Sequence, residues 1–128
     1  GIRALVLSLQ GMTNLRELYI GRGGLGSLGG KALGGVLHLL TALHTLRLEL
    51  SGLGAEGGKA VGPPLGLLTG LQELSLAGNE LGIEGGNALL PSLPCLTRLQ
   101  ALDLGGNRLG ADWGRRFGRA LFSCLTGP

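Results

Sequence analysis

Aromatic side chains are scarce in this chain. Its 128 residues include two Phe, one Tyr and one Trp, whereas glycine occurs 27 times. A core without aromatic rings must be built from many similar aliphatic side chains. Such a core suits stacked layers of one kind better than a single irregular globule.

Cysteine and long apolar runs are also scarce. Two cysteines do not make a disulfide framework, so we expect a reducing, cytoplasmic location. No apolar run approaches the roughly 18–20 residues that span a bilayer, and no membrane partner is expected. The two histidines and two cysteines have unrelated spacings, so neither a metal site nor a cofactor is predicted. A net charge of +3 is too small to indicate nucleic-acid binding.

A leucine pattern recurs every 28 residues without insertion, in copies that begin at Leu15, Leu43, Leu71 and Leu99. A fixed period of this size is typical of a solenoid. We therefore predict one domain over residues 1–128. It has a partial repeat in 1–14 and full repeats starting at 15, 43, 71 and 99.

Each copy begins L-x-x-L-x-L, and this alternation predicts a short strand with one buried face. A glycine-rich turn follows, and then come apolar residues whose spacing places them on one helix face. These helix positions are Leu33, Leu37 and Leu40; Val61, Leu65 and Leu68; Leu89, Leu93 and Leu96; and Phe117, Leu121 and Cys124. Leu74, Leu76, Leu102 and Leu104 are expected to be buried in the core. Pro63-Pro64 is expected to break the second helix or confine it to a few residues.

Strict alternation of strand, turn and helix makes every strand return in the same direction, so the sheet is parallel. The pattern L-x-x-L-x-L-x-x-N-x-L-G resembles the leucine-rich repeat. The 28-residue length and the G-x-x-G-G-x-A segments at 54–60 and 82–88 are similar to its ribonuclease-inhibitor-like class. This resemblance implies an α/β fold, a right-handed β/α solenoid with a concave parallel sheet and outer helices.

The resemblance also assigns a structural role to one polar position of each repeat. In the family, an asparagine there caps the backbone of the turn. Asn79 and Asn107 fit, but Gly23 and Ser51 occupy that position in the first two repeats. Those two turns are therefore expected to be looser.

Strand residues that point away from the core form the predicted binding face. They include Glu17, Tyr19, Thr45, Arg47, Glu49, Glu73, Ser75 and Asp103. Four carboxylates against one arginine make this face acidic, which favours a protein partner with a basic surface. The alternative is that these charges only keep the surface hydrated. Leucine-rich repeats serve as recognition scaffolds, and the resemblance also allows a regulatory arm of a GTPase-activating or NOD-like sensor protein.

A second candidate site lies near the C-terminus, where Trp113 stands close to three arginines, Arg115, Arg116 and Arg119. Trp113 replaces a glycine of the other repeats. It either covers the end of the stack or anchors an interface. The arginines either bind an acidic partner or form a solvated face.

Residues 21–26 read G-x-G-x-x-G after a predicted strand and before a helix, with Glu49 on the next strand. This spacing is typical of dinucleotide-binding loops and offers a remote alternative, a nucleotide-binding enzyme. The structural interpretation is that Gly26 is the repeat glycine. A solenoid also lacks the crevice that such a ligand occupies.

No catalytic set is visible. His38 and His44 have no acidic or serine partner at a suggestive spacing, and we predict that the chain is not an enzyme.

Cys95 and Cys124 fall near the same place in successive repeats and are interpreted as buried packing residues. Neither end of the stack has a polar capping unit, so self-association through the ends is expected.

Overall fold

The computed structural model describes the backbone of residues 2–126 and the side chains of residues 2–121. Its helices are α1 (Ile2–Gln10), α2 (Gly26–Gly34), α3 (Gly54–Leu65), α4 (Gly82–Leu89) and α5 (Trp113–Thr126). Its strands are β1 (Glu17–Tyr19), β2 (Thr45–Arg47), β3 (Glu73–Ser75) and β4 (Ala101–Asp103). Two short 3-10 turns cover Leu37–Leu39 and Leu93–Cys95. Strands and helices alternate as the repeat pattern predicts.

The four strands form one parallel sheet in the order β1-β2-β3-β4. Leu18 pairs with Leu46, Leu46 with Leu74, and Leu74 with Leu102, so equivalent residues of successive repeats lie side by side. Helices α2, α3 and α4 stack in the same order. This arrangement confirms the predicted α/β solenoid.

The core is a set of stacked leucine layers between the sheet and the helices. Leu46, Leu74 and Leu76 are fully buried. Leu102 and Leu104 are only half-buried, so the prediction that they are buried is wrong. Leu102 lies on β4 and Leu104 follows its end, and β4 has a neighbouring strand on one side only.

The helices differ from the prediction in two ways. Leu37 and Leu93 are predicted on the same helices as Leu33 and Leu89. Both are buried, but they lie in the 3-10 turns that follow α2 and α4. The predicted break at Pro63-Pro64 is wrong, because α3 includes both prolines and ends at Leu65. Val61 and Leu65 are both fully buried, and packing of this face of α3 within the stack keeps the last turn helical despite a penalty of about 3 kcal/mol for an interior proline.

Glycines allow neighbouring helices to approach closely. A methyl group built on Gly62 of α3 would lie 2.7 Å from the carbonyl oxygen of Ala88 in α4. The equivalent position on α2, Gly34, faces Ala60 of α3 in the same way. The high glycine content therefore sets the spacing between repeats, in addition to shaping the turns.

A ladder of buried asparagines joins the turns of successive repeats. Asn79 Oδ1 accepts hydrogen bonds from the backbone N–H groups of Ser51 (2.9 Å) and Leu53 (3.3 Å), which belong to the preceding repeat. Asn107 Oδ1 does the same for Asn79 and Leu81. The prediction of a loose turn at Ser51 is therefore wrong, because the capping side chain comes from the following repeat.

The turn at Gly23 has a different cap. There the hydroxyl of Ser51 donates to the carbonyl of Ile20 at 2.9 Å. One hydroxyl thus replaces an asparagine that elsewhere makes several bonds to the turn. A looser first turn stays a prediction.

Candidate functional site

The exposed face of the sheet presents two rows of side chains in fixed register. One row contains Glu17, Thr45, Glu73 and Ala101, and the other contains Tyr19, Arg47, Ser75 and Asp103. Neighbouring members of a row are roughly 4.8 Å apart, which is the strand spacing of a sheet. The backbone therefore brings the eight predicted face residues together, with Glu49 just beyond β2.

Seven of these eight residues have side chains that solvent can reach. Glu17, Tyr19, Arg47 and Asp103 are exposed, and Thr45, Glu49 and Glu73 are half-buried. Ser75 is the exception, since only 5% of its surface is exposed. Its side chain is short and stands in a row between the longer Arg47 and Asp103; its role as a contact residue stays a prediction.

Arg47 organises the charges of this face. Its guanidinium forms a hydrogen-bonded ion pair with Glu73 on β3 and approaches Glu49 Oε1 at 4.0 Å. It also lies over the ring of Tyr19, 5.6 Å from the ring centre. The hydrogen bond to Glu73, more than any other interaction, raises the pKa of Arg47 above its ordinary value. Arg47 is therefore a fixed cation, and Glu73 is the carboxylate it neutralises most directly.

Two shallow depressions lie on either side of the Arg47 side chain. The first encloses about 250 Å³ and is lined by Tyr19, Ile20, Gly21, Arg22, Arg47, Glu49 and Leu50. The second encloses about 330 Å³ and is lined by Arg47, Glu49, Glu73, Leu74, Ser75, Ala101, Leu102 and Asp103. The first contains exposed apolar side chains, whereas three carboxylates border the second. Arg47 and Glu49 line both.

Leu50, at the edge of the first depression, has an unusual backbone. Its φ is +53°, in the left-handed region, and half of its surface is exposed. The equivalent positions of the next two repeats are Gly78 and Gly106, both with φ of +67°. Leucine thus occupies a conformation that glycine adopts with less strain. Leu50 is not among the residues predicted for the face; its signal in the sequence is a leucine at a position where the later repeats have glycine.

The second candidate site is arranged differently from the prediction. Trp113 is buried against α4 and donates a 2.7 Å hydrogen bond from Nε1 to the carbonyl of Gly86. Its ring also packs against Phe117 at 5.2 Å. Burial favours the interpretation that Trp113 covers the end of the stack, and its role as an interface anchor stays a prediction.

The three arginines beside Trp113 lie on the exposed side of α5. Arg115 pairs with Asp112 at 2.7 Å, and Arg116 donates to Asn87 Oδ1 at 2.9 Å. Arg119 has no ion-pair partner among the described residues. Because two of the three arginines make contacts within the chain, a basic docking site here has less support than the sheet face.

The G-x-G-x-x-G segment is used for packing between repeats. The N–H groups of Arg22, Gly23 and Gly26 donate to carbonyls of the next repeat at 2.8–3.2 Å. A methyl group on Gly21 would lie 2.9 Å from the carbonyl oxygen of Glu49. These backbone donors are not directed at a phosphate, so the structure favours the interpretation in which Gly26 is the repeat glycine.

The cysteine, histidine and carboxylate side chains of the described residues are spread apart. Among them, no three His, Cys, Asp or Glu side chains approach as metal ligands would. Cys95 is exposed, so its interpretation as a buried packing residue is wrong; the Cys124 side chain lies outside the described residues. No helix in residues 2–126 is both long and apolar enough to cross a bilayer.

Comparison with known families identifies the repeat. A family model described as Leucine Rich repeat matches residues 11–34 and 69–90. Each matched segment includes a strand and the helix that follows it, β1 with α2 and β3 with α4. No curated protein matches the chain.

Proposed function

Because the chain is a leucine-rich repeat protein, we propose that it is an interaction scaffold that holds a partner protein against the exposed face of its sheet. The observation that carries this proposal is the cluster around Arg47. There a cation, two carboxylates and an aromatic ring from three adjacent strands stand on one open surface. Parallel strands hold these groups in register, and this preorganisation lowers the entropy cost of binding.

The shape of the face suits a macromolecule. Its depressions are shallow, and the exposed groups are spread over four strands. A stacked repeat creates an extended binding surface, whereas small-molecule sites are concave and enclose most of the ligand. Several dispersed contacts along the sheet therefore support a protein partner.

The charge of the face favours a partner with a basic surface. Arg47 pairs directly with Glu73 and lies farther from Glu49. Glu17 and Asp103 form no ion pair with any described residue. These carboxylates would steer a cationic surface towards the sheet and set its register. The cytoplasmic location expected from the two cysteines stays a prediction.

Charge reversal on opposite faces of the solenoid tests this proposal. The sheet variant carries Glu17→Lys, Glu49→Lys and Asp103→Lys. The matched control carries Glu56→Lys, Glu84→Lys and Asp112→Lys, which reverses three exposed carboxylates away from the sheet. Each variant is compared with the unmodified chain in affinity capture, and the captured protein is then purified for kinetics by surface plasmon resonance.

We expect the sheet variant to lose the partner and the control to retain it, with both chains folded by circular dichroism. The on-rate of the unmodified chain should fall as salt increases, because steering by exposed charges is screened. Retention by the sheet variant together with loss by the control would place the binding surface on the helices and contradict the proposal.

A further inference from the structure

We propose that the partner contacts the sheet through two side chains of one extended segment. An apolar side chain enters the depression beside Tyr19 and Leu50, and a Lys or Arg side chain enters the depression beside Asp103. This inference rests on the proposed function and specifies the chemistry of the partner.

Leu50 combines a left-handed backbone with an exposed apolar side chain. A left-handed backbone is less favourable for leucine than for the glycines at the equivalent positions of the next two repeats. The strain at Leu50 is not compensated by full burial, since half of the residue is exposed. Its side chain leans over Gly78, where a methyl group would lie 2.6 Å from Leu50 Cδ2. Leucine at this position thus keeps an apolar surface at the rim of the sheet, which is consistent with an anchor for a partner.

Tyr19 supplies the second apolar surface of the same depression. It is 58% exposed, although Arg47 covers one side of its ring. Ile20 lines the depression between these two groups and is half-buried. An apolar side chain placed here would be removed from water by Tyr19, Ile20 and Leu50 together. Tyrosine is also enriched among residues that dominate binding energy.

Asp103 and Glu49 define the chemistry of the second depression. Asp103 Oδ1 accepts a 2.9 Å bond from the N–H of Gly105, and no described cation pairs with this carboxylate. Glu49 is 4.0 Å from Arg47, which is the limit of an ion pair, because Arg47 is directed towards Glu73. Ser75 and Ala101 are small and leave space between these carboxylates. The depression therefore complements a cationic side chain.

The distance between the depressions sets the spacing of the two partner residues. The first lies between β1 and β2, and the second is centred near β3. One and a half to two strand spacings correspond to about 7–10 Å. A segment in the extended polyproline II conformation rises about 3.1 Å per residue with three residues per turn, so side chains three residues apart face the same side at a separation of about 9 Å. The matching segment therefore has the form apolar-x-x-basic and runs across the strands.

Synthetic peptides test this spacing directly. The probe is a nine-residue peptide of serine and glutamine with leucine at its third position and arginine at its sixth. Three control peptides replace the leucine with serine, replace the arginine with glutamate, or move the arginine five residues from the leucine. Each is titrated into the isotope-labelled 128-residue chain and followed by two-dimensional NMR.

We expect the probe to shift the signals of Tyr19, Leu50 and Ser75, with each control peptide binding at least about fivefold more weakly. Equal binding by the serine or glutamate peptide, or no shift at millimolar probe, would overturn the inference. NMR shifts of sheet residues that are the same with and without the leucine or arginine of the peptide would overturn this inference and leave the proposed function intact. Shifts confined to α2, α3 and α4 would contradict both.

Variants of the protein provide the matched test. Leu50→Gly installs the residue present at the equivalent positions 78 and 106, so the fold should be retained. Arg108→Gly is the control, since Arg108 has the same left-handed backbone with φ of +52° and lines neither depression. Leu50→Gly and Asp103→Asn should each weaken probe binding at least about fivefold, whereas Arg108→Gly should change it less than twofold. Full binding by Leu50→Gly would overturn the apolar half of the proposal.

Discussion

Asn79 closes the turn that begins at Ser51, although the two residues are one full repeat apart in sequence. Its Oδ1 accepts from Ser51 N at 2.9 Å, while its Nδ2 donates to the carbonyls of Leu48 at 2.7 Å and Leu76 at 2.9 Å. Asn79 is fully buried, so these bonds are shielded from water. The side chain thus joins two strand ends and one turn.

Substitution of this asparagine should be more damaging than substitution of the serine it caps. Asn79→Ala leaves several buried backbone groups without partners, each at a cost of about 1–3 kcal/mol, so the loss in unfolding free energy should exceed 2 kcal/mol. Ser51→Ala removes one hydroxyl bond and should cost about 1 kcal/mol. Urea denaturation measures both. Equal losses would show that the ladder contributes little to stability.

Two leucines at equivalent strand positions should respond differently to truncation. Leu74→Ala should lower the unfolding free energy by about 2–5 kcal/mol, because Leu74 is fully buried and a cavity would remain. Leu102→Ala should cost clearly less, since Leu102 is half-buried beside the sheet edge. The two urea midpoints give the comparison, and a larger loss for Leu102→Ala would contradict the position of β4 at the edge.

Adjacent glycines at the end of α2 offer a test of helix spacing. Gly34→Ala directs a methyl group into the backbone of Ala60 and should destabilise the chain by about 1–3 kcal/mol. Gly35→Ala meets only ordinary contacts, the nearest at 3.4 Å, and its φ of −71° suits alanine. Thermal melting should therefore separate the two variants. Equal melting temperatures would show that the helices can move apart at little cost.

Lys59 should contribute to stability in a pH-dependent manner. It lies 3.5 Å from both Glu56 and Glu84, and these carboxylates, Glu56 most strongly, raise its pKa above 10.5. A raised pKa in the folded state stabilises the fold below pH 10.5, and the effect is lost as pH rises through the folded value. The difference in unfolding free energy between the unmodified chain and Lys59→Gln should therefore shrink above pH 10.5. A difference that grows in that range would contradict this assignment.

Self-association through the sheet edge is expected at high protein concentration. Leu48 N and Leu76 N donate to the next strand at 2.9 Å, whereas Leu104 N forms no hydrogen bond with the described residues. Unpaired strand donors beside half-buried leucines favour edge pairing. Sedimentation velocity should show a mass that rises with concentration. A constant monomer mass up to millimolar protein would contradict the expectation.

The period of the sequence predicted the fold because each repeat places equivalent residues side by side. The register Glu17, Thr45, Glu73 and Ala101 follows from the constant 28-residue interval. Periodicity also predicted which side chains leave the core. It could not predict how deeply each is buried, because burial depends on neighbouring side chains, as at Ser75, or on the end of the sheet, as at Leu102.

Other features depend on contacts between repeats that no single repeat contains. The resemblance to the leucine-rich repeat implied that Asn79 caps a turn, but its bonds to Ser51 and Leu53 require the stacked geometry. The ion pair between Arg47 and Glu73 likewise requires adjacent strands, although both residues were predicted on the face. Local propensity wrongly predicted a break at Pro63, because tertiary packing outweighed it.

The forward reach of the asparagine ladder gives the solenoid a polarity in assembly. One repeat cannot bury the apolar faces of its strand and helix alone, and the repeat that follows also supplies the side chain that completes its turn. The smallest cooperative unit is therefore a pair of consecutive repeats, and ordering should spread by nearest-neighbour coupling. A destabilising substitution in one repeat should consequently loosen the turn of the preceding repeat before it loosens the turn of the following repeat.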